Sequence, residues 1–117
     1  ELIFEADSLD NHEMVFDFKL VKRMVDDFLE TYDHALCMNT EDPKFEFFKE
    51  AYGERIIGFE GLDPTTEVMA KTIFDHTSGQ LQHHIDNPDP EYPVRAEVHL
   101  KTIRVWETTS SWAEYGI

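Results

Sequence analysis

The sequence predicts an α+β domain in which two long helices cover one face of an antiparallel sheet. Two segments, residues 17–32 and 63–86, repeat apolar residues at helical spacing. Residues 94–100 alternate apolar and polar residues, as a strand with one buried face does. The chain has 117 residues, enough for one domain with a single core. Helices that are apolar on one side must bury that side, and a sheet face is the natural partner.

The charge and the cysteine content limit the binding partners and the cellular compartment to be expected. Acidic residues outnumber basic ones by 25 to 10, and the net charge of −15 would repel nucleic-acid phosphates and anionic membrane surfaces. No apolar run approaches the roughly 20 residues that span a bilayer. The single cysteine, Cys37, cannot form a disulfide within the chain, which is usual in a reducing cytoplasm. We therefore expect a cytoplasmic protein that binds neither nucleic acid nor a membrane.

The first part of the chain predicts a strand and a long helix. Residues 2–7 are typical of a strand. Because a domain seldom begins in the middle of a strand without a partner hairpin, we expect an N-terminal hairpin before Glu1. Asp17 is placed to cap the first long helix. The predicted buried stripe of that helix comprises Phe18, Val21, Met24, Val25, Phe28, Leu29 and Tyr32.

The middle of the chain predicts a short helix, a strand and the second long helix. Residues 44–52 favour a short helix that ends at Gly53, and residues 55–60 favour a strand. The second long helix is predicted to begin with Asp63 as its cap and Pro64 at its first position. It must end before the Asn-Pro-Asp-Pro run at residues 87–90.

The last part of the chain predicts two strands. Apolar residues alternate over residues 94–100, and the alternation then changes phase because Ile103 and Val105 are apolar. One inserted residue would produce this change, so we expect a β-bulge or a tight turn at residues 101–102. Residues 110–117 favour a final strand.

Asp33 and His34, at the end of the first long helix, are candidates for acid–base chemistry. A carboxylate beside an imidazole can fix its tautomer and raise its basicity. Adjacent helical residues point about 100° apart, however, so adjacency in sequence does not by itself make a dyad. The alternative is a histidine that the helix dipole favours at a C-terminus.

Three further residues are candidates for holding a planar polar ligand. Glu107 follows an apolar strand, where a carboxylate can accept two parallel hydrogen bonds from an N–H and amino edge. Thr65 and Thr66 lie near a predicted helix start, where hydroxyls and free N–H groups can bind a polar ligand. The alternatives are an exposed acid at a strand end and plain helix capping.

The remaining histidines and the cysteine favour structural interpretations. His76 and His83 are seven residues apart on one helix face, which is not the spacing that zinc prefers. We therefore interpret them, together with His84, as surface histidines. His99 is expected on a solvated strand face, and Cys37 is interpreted as a small buried hydrophobe rather than a nucleophile.

Four short motifs occur in an order that points to a protein family. They are Met14-Val15-Phe16-Asp17-Phe18, Asp33-His34 with Leu36, Met38 and Asn39, Asp63-Pro64-Thr65-Thr66-Glu67, and Trp106-Glu107-Thr108 with Ser111-Trp112-Ala113-Glu114-Tyr115. In this order they resemble the 6-pyruvoyl-tetrahydropterin synthase and 6-carboxy-tetrahydropterin synthase family over nearly the whole chain. Val68 departs from the pattern, because the family usually has Asn there.

The resemblance implies the tunnelling fold, a four-stranded antiparallel sheet with two helices on one face. Subunits of this kind join edge to edge into a barrel and form larger homo-oligomers, usually hexamers, with active sites between subunits. Glu107 would bind the N–H and amino edge of a pterin, and Thr65 and Thr66 would help to hold it. Asp33 and His34 would belong to the proton-transfer relay.

The resemblance also implies a catalytic zinc and a cysteine base. The family holds its zinc through three histidines that precede the second strand. No histidine of this chain, and not Cys37, occupies those motif positions, so the implied zinc ligands would lie upstream of Glu1.

The function that the resemblance implies is that of a zinc-dependent carbon–oxygen lyase acting on 7,8-dihydroneopterin triphosphate. The product would be 6-carboxy-tetrahydropterin, towards queuosine-type compounds, or 6-pyruvoyl-tetrahydropterin, and the segments DHALCMN and SWAEY favour the former. Two alternatives stay open: a pterin- or purine-binding protein that performs no chemistry, and a structural oligomer.

Overall fold

Five strands and three helices follow one another along the chain, and the computed structural model describes all 117 residues. They are β1 (Leu2–Glu5), α1 (Phe18–Glu30), β2 (Leu36–Asn39), α2 (Phe45–Tyr52), β3 (Ile56–Phe59), α3 (Thr66–Asp86), β4 (His99–Trp106) and β5 (Trp112–Gly116), with a 3₁₀ turn over Gly53–Arg55. The chain is an α+β domain, as predicted. No helix combines the length and the apolar character needed to cross a bilayer.

The main sheet is antiparallel and has the strand order β1-β4-β5. Helix α3 lies against β4 and β5, and α1 lies beside α3. Apolar side chains of α1, α3 and β4 form one buried cluster that includes Leu20, Ile73 and Ile103. Burial of this cluster is the main source of stability, since each fully buried aliphatic side chain contributes about 1.5–3 kcal/mol.

The main sheet has three strands, where the sequence predicts four, because β2 and β3 pair with each other instead. They form a separate parallel ribbon, in which Leu36 is opposite Ile56 and Asn39 is opposite Phe59. Helix α2 connects the two strands and has no fully buried residue. The sequence did not predict β2, because four residues are too few to show a strand alternation.

The predicted bulge in β4 is confirmed. The consecutive β1 residues Ile3 and Phe4 pair with Thr102 and Leu100, so Lys101 is the extra residue. The alternation of buried and exposed residues changes phase at this point, as the sequence predicts.

Other details of the prediction are partly confirmed. The Asp17 carboxylate accepts a hydrogen bond from the Lys19 N–H at 2.8 Å and caps α1, as predicted. The strand predicted from residue 94 begins only at His99, because a turn over residues 95–98 precedes it. Phe18 and Leu29 do not belong to the buried stripe, since 80% and 39% of their surfaces are exposed.

The two long helices run antiparallel. The imidazole of His76 in the middle of α3 stacks on the Phe28 ring of α1, with centroids 3.8 Å apart. One turn further along α1, Tyr32 lines the same hollow as Val68 near the start of α3. The C-terminus of α1 and the N-terminus of α3 therefore lie at the same end of the domain.

Helix α3 also runs antiparallel to β4. Its later residue Leu81 lines a hollow with Leu100 near the start of β4. Its earlier residue Phe74 packs against Tyr115, which pairs with Ile103 further along β4. The start of α3 thus lies towards the end of β4, where Glu107 follows.

Candidate active site

The predicted site residues come from segments that lie towards the same end of the domain. Asp33 and His34 follow α1, Thr65 and Thr66 begin α3, and Glu107 follows β4. Antiparallel packing of α1, α3 and β4 places these three points at the same end. The topology of the fold therefore groups residues that are far apart in sequence.

The loop between β4 and β5 leaves the Glu107 carboxylate free. The Glu107 N–H donates to the Ser111 carbonyl at 2.9 Å, and the Thr108 N–H donates to the same oxygen at 3.2 Å. The Thr108 hydroxyl accepts from the N–H groups of Ser110 and Ser111 at 3.2 and 3.0 Å. These bonds fix the loop, whereas the side chain of Glu107 is exposed and has no hydrogen bond or ion pair within the chain. Its carboxylate can therefore accept two hydrogen bonds from a ligand.

Asp33 and His34 lie in a tight turn beyond α1. The backbone of His34 is left-handed, with a φ of 57°, which few residues other than glycine adopt. The closest approach of the His34 Nε2 to the Asp33 Oδ1 is 3.8 Å, too long for a hydrogen bond. Both side chains are largely exposed. The two side chains are neighbours at the surface and do not form a hydrogen-bonded dyad.

Thr65 caps α3, and Asp63 does not. The Thr65 hydroxyl accepts from the Val68 N–H at 3.2 Å, and the helix begins at Thr66. The Asp63 carboxylate accepts instead from the Asn39 amide at 3.2 Å, which ties the end of β2 to the start of α3. The predicted cap at Asp63 is therefore wrong, and so is the prediction of Pro64 at the first helical position, because Pro64 precedes the cap. The half-buried Thr66 hydroxyl makes no side-chain hydrogen bond and is free for a ligand.

The candidate residues do not share one pocket. His34 borders a hollow of about 360 Å³ that Phe48, Tyr52 and Arg55 also line. Glu107 borders a different hollow of about 600 Å³ at the β4–β5 loop. No local pattern predicts that the region of α2 lies beside His34, because the two are brought together only by tertiary folding.

Cys37 is half-buried in β2, and burial raises the pKa of its thiol. Burial also raises the pKa of Tyr32, and the nearby Cys37 adds to this shift. A thiol with a raised pKa stays protonated near neutral pH and is a poor nucleophile. This fits the interpretation of Cys37 as a small hydrophobe.

The histidines form no metal site. Nowhere in the 117 residues do three or more His, Cys, Asp or Glu side chains come together as metal ligands do. The residues present therefore do not fit a zinc ion. His76 is not a surface histidine as predicted: it is half-buried between the long helices, and its Nε2 lies 3.1 Å from the Met24 carbonyl oxygen.

The fold and these residues define an α+β domain with free polar groups at the end where its long helices meet β4. Residues 1–116 match the family described as 6-pyruvoyl tetrahydropterin synthase. The match covers almost the whole chain, so the chain belongs to this family of enzymes.

Curated relatives carry a more specific name. The chain is 30% identical over 118 residues to the 6-carboxy-5,6,7,8-tetrahydropterin synthase of Aquifex aeolicus (strain VF5), covering 98% of this chain and 68% of that protein. It is 25% identical over 126 residues to the protein of the same name from Helicobacter pylori (strain J99 / ATCC 700824). A third relative of this name, from Helicobacter pylori (strain ATCC 700392 / 26695), is 27% identical over 115 residues. The chain spans about half, 54%, of the length of each Helicobacter protein.

Proposed function

We propose that this chain belongs to a 6-carboxy-tetrahydropterin synthase, a carbon–oxygen lyase that acts on 7,8-dihydroneopterin triphosphate. The observation that carries the proposal is the free carboxylate of Glu107 at the end of β4, in a chain whose curated relatives carry this name. An exposed carboxylate without a partner has both oxygens available to accept hydrogen bonds from a ligand.

In this proposal Glu107 anchors the substrate. Its two carboxylate oxygens accept hydrogen bonds from the N–H and the amino group along one edge of the pterin ring. Thr66 contributes a free hydroxyl, and the hydroxyl of Thr65 can still donate a hydrogen bond while it caps α3. These contacts orient the ring and leave its side chain free to react.

His34 carries protons in the proposed reaction. An imidazole can both accept and donate a proton near neutral pH, and its exposure lets it exchange protons with water. Asp33 orients the ring of His34 once the two groups move from 3.8 Å into hydrogen-bond range. Such tightening on substrate binding is common in active sites.

Zinc enters the proposal through the family resemblance alone. A bound zinc ion would polarise the hydroxyl and carbonyl oxygens of the substrate side chain. Its ligands are proposed to lie outside the 117 residues, because no ligand cluster forms within them.

The proposed active form is a homo-oligomer, with a hexamer as the expected state. The outer edge of β1 and that of β5 are unpaired in the sheet order β1-β4-β5. Unpaired strand edges readily accept a strand of another subunit, which would extend the sheet towards a barrel. A site built between subunits would also account for the separate hollows that His34 and Glu107 border. The cytoplasm is the proposed compartment, because Cys37 has no disulfide partner within the chain.

A second candidate function is binding of a pterin or purine without catalysis. The lack of a metal-ligand cluster within the chain favours it. Glu107 and Thr66 would then hold the ligand, and His34 would have no catalytic role.

Activity of a His34 variant separates these functions. His34→Asn tolerates the left-handed backbone, because asparagine adopts this conformation more readily than most residues, but it cannot carry a proton. With protein expressed from the complete gene and 7,8-dihydroneopterin triphosphate as substrate, we expect 6-carboxy-tetrahydropterin by chromatography. His34→Asn should lower kcat by about a hundredfold or more with little change in KM.

His12→Ala is the matched control, since His12 is exposed in a turn of the N-terminal segment. It should leave kcat unchanged. If His34→Asn turns over as fast as the wild type, His34 does not carry protons in the reaction. If the wild type shows no turnover, the binding function is favoured.

A further inference from the structure

The two tryptophans of the chain lie together beside Glu107. Trp106 and Trp112 are paired across β4 and β5, with ring centroids 6.0 Å apart and ring planes inclined at 57°. Nearly half of each side chain is exposed, 48% and 46%. Large exposed aromatic rings beside an unpaired carboxylate are typical of a ligand site and not of a protein core.

The two indole rings differ in what covers them. The Arg104 guanidinium lies 3.8 Å from the centre of the Trp112 ring and donates to the Glu114 carboxylate at 2.8 and 3.1 Å. A cation–π contact backed by an ion pair thus occupies one face of Trp112. The same guanidinium is 5.7 Å from the centre of the Trp106 ring, at the outer limit of a cation–π contact and so a weaker cover than the one on Trp112.

Trp106 is the aromatic residue that lines the hollow bordered by Glu107. Four residues line this hollow: Trp106, Glu107, Thr108 and Thr109. The Thr108 hydroxyl is engaged within the loop, whereas the Thr109 hydroxyl has no hydrogen bond within the chain. The hollow therefore offers a carboxylate, an aromatic ring and a free hydroxyl to one ligand.

We propose that Trp106 stacks on the face of the heteroaromatic ring whose edge Glu107 binds. This inference rests on the proposed function and adds a specificity-determining residue to it. A carboxylate alone binds any group with two parallel N–H donors, including an acyclic guanidine. An indole favours a flat aromatic ring in addition, because aromatic faces attract each other at little cost in side-chain entropy.

Binding of neopterin and of methylguanidine tests the inference. Both present parallel N–H donors, but neopterin alone has an aromatic ring. Calorimetry on the full chain should show that Trp106→Leu weakens neopterin binding by about tenfold, within the range found for aromatic stacking on a base. Trp106→Phe should change it by less than about threefold, since it keeps an aromatic face. Neither variant should alter the affinity for methylguanidine.

Tryptophan fluorescence supplies a second readout, because the chain has two tryptophans and both lie in this hairpin. Trp112→Phe leaves Trp106 as the sole emitter, and neopterin should quench its emission strongly. Trp106→Phe leaves Trp112, which Arg104 covers, and its emission should change little.

The outcomes separate this inference from the proposed function. Unchanged neopterin affinity in Trp106→Leu, with affinity lost in Glu107→Gln, would overturn the stacking role and leave the pterin site in place. Stronger quenching of Trp112 than of Trp106 would overturn it as well. A wild-type chain that binds no neopterin would overturn both.

Discussion

His76 contributes to the contact between α1 and α3. The substitution His76→Ala tests the size of this contribution to stability. The substitution removes a ring that stacks on Phe28 at a centroid distance of 3.8 Å and at 6° between planes. It also removes the hydrogen bond of the Nε2 with the Met24 carbonyl oxygen at 3.1 Å. We expect the helix pair to lose packing, but the site residues at its end to keep their backbone.

The expected loss of stability follows from four terms. The stacked pair contributes about 1 kcal/mol, and the hydrogen bond contributes about 1 kcal/mol. Loss of the half-buried ring adds about 0.5 kcal/mol to the destabilisation. The higher helix propensity of alanine offsets about 0.5 kcal/mol of it. The free energy of unfolding should therefore fall by about 2 kcal/mol, which corresponds to a decrease in Tm of about 8 °C for a domain of this size.

Urea unfolding followed by circular dichroism, at one protein concentration, measures this difference. His83→Ala is the control, because His83 is exposed on the same helix, and it should shift the unfolding free energy by less than about 0.5 kcal/mol. His76→Phe keeps a ring on Phe28 and should lose about 1 kcal/mol, the hydrogen-bond term. If His76→Ala is as stable as His83→Ala, the stacked contact does not hold the helices together.

Two further predictions concern a buried hydroxyl and an ion pair. Thr77 is fully buried and its hydroxyl has no hydrogen-bond partner, so the isosteric Thr77→Val should raise the unfolding free energy by about 1 kcal/mol in urea titrations; a loss of stability would contradict this. The hydrogen bond from the Lys101 Nζ, at 2.6 Å, lowers the pKa of Glu5 below its ordinary value of 4.5. The stabilisation is then present above that value and is lost as the pH falls through the lowered pKa. The stability difference between wild type and Glu5→Gln should shrink on acidification, and a difference independent of pH would argue against the ion pair.

Local sequence patterns correctly predicted those elements that depend on residues close together in the chain. The helical spacing and the Asp17 cap placed α1, and the change of phase after Leu100 placed the bulge. A long amphipathic segment has only one stable arrangement, with its apolar face on another element.

Features that depend on distant contacts could not be predicted. β2 forms because Leu36 to Asn39 find a parallel partner about twenty residues later, and no pattern within four residues shows that partner. His76 is a polar residue by type, and only the position of α1 shows that its ring is half-buried. The same holds for Trp106: its role depends on the hollow that folding creates beside Glu107.

The candidate site residues stay a prediction from sequence, and the way the fold arranges them could not be predicted. The order of four motifs placed Glu107, Thr66 and His34 in one family pattern. The free carboxylate of Glu107 and the left-handed backbone of His34 are tertiary features. Their hollows are separate within one chain.

The most direct test of the central claim is the affinity of Glu107→Gln for neopterin. An amide cannot accept two N–H bonds, so calorimetry should show binding weakened by about 2–3 kcal/mol, or roughly 30- to 150-fold. Glu13→Gln changes an exposed acid in the turn before α1, at the other end of that helix, and should bind as the wild type does. Equal affinity of Glu107→Gln and wild type for neopterin would contradict the role of Glu107 as the anchor of the pterin.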